Sequence, residues 1–407
     1  MVSLVMLAIM VGCAVLLYLK GTLVQGVVLI FNALFAGFAA LGFFEPLARL
    51  LIKYSPGIAI WAPMICFLLL FILTFAVLEA MAMQFGKEKA NLGLWPERIG
   101  RVVCGILLGY IMTGQLLVAL ATVPHPLLNK YPYERFAERN PNPANPNKPF
   151  LNPDGFVTGL FGKISQGSFR AISNPRSFAV LRADFLDQLY LNRLKLGQDV
   201  SLATSMPAIK VEKGHVWHAP DSLRDTDGKP VSARAGENLM LVRMGIKKRA
   251  LKDAGKFTLS QVRLICRPKS DSANPLAGQG QSVYPMGYIG PDSHLERKSL
   301  AEIVTMKRSE GSGDVQTIDL AFSVPMNTVP TLIEFKLNNA VQLPAPASGE
   351  DAPAVLPFGS AAKAPPAKPK PQADDTRPTT RPAPESGRER RGLSDISESI
   401  IGPLDEE

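Results

Sequence analysis

Residues 99–123 read Ile-Gly-Arg-Val-Val-Cys-Gly-Ile-Leu-Leu-Gly-Tyr-Ile-Met-Thr-Gly-Gln-Leu-Leu-Val-Ala-Leu-Ala-Thr-Val. Arg101, near the start, is the one charge in the stretch. A helix of ~20 apolar residues crosses the ~30 Å hydrocarbon layer at ~1.5 Å per residue, so this stretch is long enough to span a bilayer. Three runs upstream meet the same test: Ser3–Leu19, Thr22–Phe44 and Ile58–Met83. Residues 1–124 hold seven basic and four acidic side chains, residues 125–343 hold 29 and 20, and residues 344–407 hold eight and eleven. An almost uncharged first third, a basic middle and a charged, proline-rich end exclude a single soluble globule. The expected fold class is a multi-domain membrane protein. Its parts are an all-α four-helix transmembrane domain (1–124), a connector with two amphipathic helices (125–199), an extracytoplasmic all-β sandwich (200–343) and a disordered tail (344–407).

The first run has no basic residue before it and is followed at once by a second, so a retained helix is expected and not a cleaved signal. Met10-Val11-Gly12-Cys13 has the outline of a lipidation box, but apolar residues continue past it to Leu19. Lys20 lies in the first connection and Lys87, Lys89, Arg98 and Arg101 lie in or beside the third, against Arg49 and Lys53 in the second. Basic residues in short connections mark the cytoplasmic side, which places both termini outside the cytoplasm. Cys13, Cys66 and Cys104 fall in apolar runs and only Cys266 lies beyond them, so the soluble part has no cysteine pair.

Asn32 near the middle of the second span and Gln115 in the fourth carry side-chain amides that need partners in hydrocarbon. Both are expected to face the bundle interior, as contacts between helices or, in the alternative, along a transport path. Glu79 falls near the cytoplasmic end of the third span, within reach of water or a loop cation. Gly105 and Gly109 form a G-x-x-x-G step with Gly100 and Gly114 to either side, a stripe without side-chain bulk that lets another backbone approach.

Lys20-Gly21 closes the first span, and Pro96-Glu97-Arg98 leads into a helix carrying Gly105-Ile106-Leu107-Leu108-Gly109. In this order the motifs resemble the CvpA family, the colicin V production proteins, whose four spans carry a basic–Gly pair after the first and an acidic–Arg pair followed by stepped glycines before the fourth. The resemblance covers roughly residues 1–124. It departs at Arg101, where a glycine is expected, and at Gln25, where a basic residue is common. It implies an inner-membrane protein tied to colicin export and envelope homeostasis, with Lys20, Gly21, Glu97 and Arg98 as the family-motif residues. Some relatives fuse such a unit to an extracytoplasmic serine protease. Here the nearest approach to a nucleophile motif is Gly311-Ser312-Gly313-Asp314, in a polar turn, so no enzyme is expected.

After Pro124 a run of prolines and asparagines to Pro153 reads as an extended spacer. Phe156, Leu160, Phe161 and Ile164 then fall on one helical face, as do Val180, Leu181, Phe185, Leu189 and Leu196. These helices pack on the sandwich or, with Lys163, Arg170, Arg182 and Arg193, lie on the bilayer surface. From about residue 200 the period changes to two. Runs at 237–244, 257–266, 303–307, 315–324 and 332–343, with weaker ones at 208–211 and 282–289, read as about seven strands of an immunoglobulin-like sandwich. A strand ending Phe322-Ser323-Val324-Pro325 resembles the sandwich modules of bacterial lipoproteins.

His215 and His218 have no third ligand nearby, so no metal and no cofactor is expected. Lys247, Lys248, Arg249 and Lys252 form a basic cluster read as a solvated hairpin tip or a contact for anionic headgroups or wall polymers, with no nucleic acid expected. Gly278-Gln279-Gly280 lacks the strand–helix setting of a nucleotide fingerprint. The Pro-, Ala- and Lys-rich tail cannot bury enough apolar area to offset its ordering entropy, and Leu393–Leu404 is read as a disordered end or a short docking helix. The expected partners are the lipid bilayer and other envelope proteins. The rival function is a transporter or channel component with a polar path near Asn32 and Gln115.

Overall fold

The computed structural model describes residues 2–85, 93–123, 132–166, 177–196, 198, 200–204, 206–251, 255–269, 278–306, 314–347 and 351–359. Lys87, Lys89, Arg170, Lys252, Gly311, Ser312, Gly313 and the stretch Leu393–Leu404 lie outside them.

Four long helices open the chain: α1 (Val2–Lys20), α2 (Leu23–Tyr54), α3 (Ala62–Phe85) and α4 (Leu94–Ala121). Each is long and apolar enough to cross a membrane. A capping box starts α2: the Thr22 hydroxyl accepts from the Gln25 amide, and the Gln25 side chain accepts from the Thr22 amide. That helix was expected to stop at Phe44 but runs on through Pro46 to Tyr54. Helix α1 lies along α4, and α2 lies between α3 and α4.

Over its described residues, 132–152, the proline-rich connector does not act as a spacer. Arg135 and Phe136 are buried, and the Tyr190 hydroxyl donates to the Phe136 carbonyl at 2.7 Å. These anchors outweigh the extended bias of the prolines and tuck the segment between the helices and the β region. Helix α5 (Pro153–Ser165) then packs back onto the first helices, with Phe161 stacked on Phe38 and the Tyr110 hydroxyl donating to the Leu151 carbonyl. The second expected amphipathic helix is two short ones, α6 (Phe178–Leu181) and α7 (Phe185–Leu191), broken where Asp184 adopts φ +52°. A left-handed residue cannot continue a right-handed helix.

The β region has twelve strands among the described residues. They are β1 (Ile209–Lys210), β2 (Val216–His218), β3 (Glu237–Lys247), β4 (Lys256–Thr258), β5 (Val262–Pro268), β6 (Gln281–Val283), β7 (Pro285–Ile289), β8 (Leu295–Arg297), β9 (Ile303–Thr305), β10 (Val315–Pro325), β11 (Thr328–Phe335) and β12 (Asn339–Gln342). One sheet runs β1-β3-β10-β7-β8 with β2 also on β3, a second runs β12-β11-β5-β6, and β4 pairs with β9. All the pairings are antiparallel.

Alternation explains the core. Met240, Val242, Met244 and Ile246 of β3 share one apolar cluster with Val262, Leu264 and Cys266 of β5 and with Ile333 and Phe335 of β11. The two larger sheets therefore face each other. The intervening residues of β5 and β11, including Arg263, Ile265, Leu332 and Glu334, point the other way, towards α6 and α7. Part of the tail is ordered: Ala347, Ala352 and Val355 cover a small apolar cluster around Trp217 on the outer face of the larger sheet.

Candidate functional site

Two sets of polar and small residues stand out in the helical unit. The first is at the end where α1 turns into α2. Glu97, in the first turn of α4, accepts the Leu23 backbone amide at 3.0 Å and the Arg101 guanidinium at 2.9 and 3.1 Å, all on Oε1. An acidic side chain from one helix thus satisfies an unpaired amide at the start of another. Gly21 closes the turn, its amide donating to the Leu17 carbonyl at 2.9 Å, with Lys20 as the last residue of α1. Arg98 is exposed. Arg101 and Gln25 both serve this turn, one through Glu97 and one through the capping box.

The second set is the α1–α4 seam. A Cβ on Gly109 would lie 2.6 Å from the Met10 Cα, and one on Gly105 would lie 2.9 Å from both the Ala14 amide nitrogen and the Cys13 carbonyl oxygen. Backbone meets backbone there. The step is therefore occupied within the chain. Gly100 faces the Leu23 side chain, and Gly114 faces the Pro153 carbonyl at the start of α5 and not another long helix.

The two interior amides lie on different seams. Asn32 donates to Glu79 Oε2 of α3 at 2.9 Å. Glu79, expected to reach water or a loop cation, is half-buried and accepts this amide. Gln115 is buried against Gly37 of α2, with neither amide atom hydrogen-bonded among the described residues. Asn32 and Gly37 are five residues apart on one helix, about 140° around its axis, which accounts for their facing α3 and α4 separately.

The most connected polar group sits where the helices meet the β region. Glu45 on α2 is paired by Arg182 at the end of α6, whose NH1 reaches Glu334 at 2.8 Å. Glu334 is the direct cross-strand neighbour of Arg263, which bonds it at 2.6 Å, and Gln188 of α7 adds a third donor at 2.7 Å. Arg263 also donates to the Ala183 and Leu181 carbonyls. Burial works against the charge of Arg182, and Glu45 and Glu334 more than offset it, holding the guanidinium above its ordinary range. Beside it, Asp154 accepts from Tyr133, which accepts from Arg135, which in turn pairs with Asp187. Burial pushes the Tyr133 and Tyr284 hydroxyls well above the phenol range. The surface reading of Arg182 and Arg193 is thereby corrected, because both are buried. Sequence reasoning missed this cluster, although Arg263 and Glu334 each stand between apolar residues in a strand and Glu45-Pro46 interrupts an apolar run.

Elsewhere, Lys247 and Lys248 are half-buried and Arg249 is exposed at the end of β3. His215 precedes β2 and His218 is exposed on it. No group of three His, Cys, Asp or Glu among the described residues could hold a metal ion. Gly278 and Gly280 form a turn against α6, through Ser177 and Ala179. Comparison with protein families, curated proteins and solved structures finds nothing that matches the chain.

Proposed function

We propose that the chain is an integral membrane protein whose four-helix unit is a CvpA-like platform in the bacterial inner membrane. In this reading it carries an immunoglobulin-like β-sandwich on the extracytoplasmic side as an interaction module. Its role is in envelope homeostasis or export, it is not an enzyme, and its partners are the bilayer and other envelope proteins.

One observation carries the reading. The most apolar helices are the least covered: only 11% of the α1 window and 17% of the α3 window are buried within the protein. In water an apolar face of that extent, bearing Leu4, Leu7, Leu16, Leu69, Ile72 and Leu73 among others, would be unstable. In lipid it is the surface the solvent requires, with small residues turned inward for packing. Lys20, Gly21 and Glu97 lie at one helical end, where Glu97 caps the start of α2, and this supports the family likeness. A transporter would need Asn32 and Gln115 along one path, and their placement on two seams argues against it.

The test has two parts. Alkaline carbonate should leave the chain in the membrane pellet, and a compartment-specific reporter fused after residue 359 should be active only outside the cytoplasm. Carbonate extraction would sink the membrane reading, and a reporter active in the cytoplasm would sink the orientation alone.

A further inference from the structure

Residues 351–359 lie on the outer face of the larger sheet without joining any strand of it. Two buried side chains hold the segment. Arg243 on β3 and Asp319 on β10 are cross-strand neighbours bonded at 2.7 and 2.8 Å. Arg243 also donates to the Ala354 carbonyl at 2.6 Å, and Asp319 accepts the Leu356 amide at 2.8 Å. The carbonyl of one residue and the amide of the second residue along are on one edge of an extended chain, so the ion pair recognises backbone and not side chains. Specificity comes from two further contacts. Val355 enters the cluster around Trp217, and Phe358 packs on the Tyr288 ring at 5.2 Å while its amide donates to the Gly290 carbonyl.

The fit is incomplete. Trp217 is 1% exposed, and its indole N–H is buried with no acceptor among the described residues. A buried donor without a partner is costly, so a different occupant that supplied an acceptor would fit better. The segment itself is of a composition that gains little from ordering, with Pro353 and Pro357 removing two amides. Its hold is sustained by the short tether, which keeps its local concentration high.

We propose that this face is a receptor site for an extended, proline-containing peptide with an aliphatic and an aromatic side chain three residues apart, and that residues 352–358 fill it as a tethered, imperfect ligand. A segment of that chemistry from another chain displaces the tail and takes the same backbone contacts.

The test uses the full chain in detergent and, as probe, a fluorescent peptide spanning residues 351–359, read by anisotropy. Leu356→Pro removes the amide that Asp319 accepts, at a position already held extended by the following proline. The variant should bind the probe at least tenfold more tightly than the unmodified chain, and a probe carrying the same Leu356→Pro change should lose that binding. Limited proteolysis of residues 344–359 reports whether the tail has been released. If the tail stays protected, Val355→Asp, which puts a charge into the apolar cluster, releases it instead. Equal binding by variant and unmodified chain, or a released tail with no probe binding, overturns the proposal.

Discussion

Arg182 grips Glu45 with two parallel bonds, Nε to Oε1 at 2.7 Å and Nη2 to Oε2 at 2.8 Å, and so ties the second long helix to the end of α6 and, through Glu334, to β11. The remaining guanidinium nitrogen is committed to Glu334, so replacing Arg182 leaves Glu45 with only the looser Arg49 contact and takes one of three donors from Glu334. Arg182→Leu should cost about 3–5 kcal/mol, the range for breaking a buried ion pair from one side. Glu45→Leu combined with Arg182→Leu should cost clearly less than the two single changes added together, because the charges are removed as a pair. Urea denaturation of the detergent-solubilised chain measures both. Additive costs would show that the pair does not act as one unit.

Along the α1–α4 seam the glycines make a direct comparison possible. Gly109→Ala brings a methyl group against the Met10 backbone, which cannot yield as a flexible side chain could, and should destabilise by about 1–3 kcal/mol. Gly12→Ala, in the middle of α1, meets nothing within 4 Å and should be neutral or slightly stabilising through helix propensity. Thermal unfolding in one detergent compares the two directly, and equal effects would remove the close-packing argument.

The four helices were legible because a run of apolar residues of membrane-crossing length has few other uses, and the strands β3 and β10 were legible because each is a long run rich in apolar residues, with Met240, Val242, Met244 and Ile246 or Ile318, Leu320, Phe322 and Val324 recurring at every second position. What escaped was set by distant partners. Pro46 interrupts the apolar run of the second span, yet α2 continues past it, with Ala48 buried and Leu47, Leu51 and Ile52 packed on the same core. Prolines between 124 and 153 read as a spacer, yet the buried Arg135 and Phe136 draw in the described part of that segment, 132–152. Residues 352–358 read as disordered because their own composition offers little, and the energy that orders them is supplied by Arg243, Asp319 and Tyr288. Local sequence reports local preference, and each of these departures is a case in which a tertiary contact outweighs it.

The two interior amides should respond in opposite directions. Asn32→Leu removes the donor that Glu79 accepts, which should lower stability by about 0.6 kcal/mol and at most about 1.7. Gln115→Leu removes an amide whose polar atoms have no partner among the described residues, so it should be neutral or stabilising. Gly37→Ala should cost less than Gly109→Ala, since what a methyl group meets there is the movable end of the Gln115 side chain and not backbone. Differential scanning fluorimetry of the three variants separates the cases. A large loss on Gln115→Leu would mean that the amide makes a bond essential to the bundle.

His215 gives the β region a pH dependence of definite sign. Burial, and then the charge of Arg243, lower its imidazole below the ordinary range, against the smaller opposing pull of Glu212 and Asp319. A lowered value means that the fold resists the proton more than the unfolded chain does. Well above ~6.5, the unfolded value, both states are neutral and nothing is lost. As pH falls through that value the unfolded chain takes up a proton that the fold does not, and stability declines until the folded value is passed. The urea midpoint of the β region, followed by the fluorescence of Trp217 in a chain with Trp61 and Trp95 replaced by Phe, should therefore fall between pH 7.5 and pH 5, and His215→Gln should flatten that part of the profile. Carboxylates such as Glu212, held low by Lys210, contribute only at more acid pH, so the two ranges separate. A profile that His215→Gln leaves unchanged would assign the slope to another group.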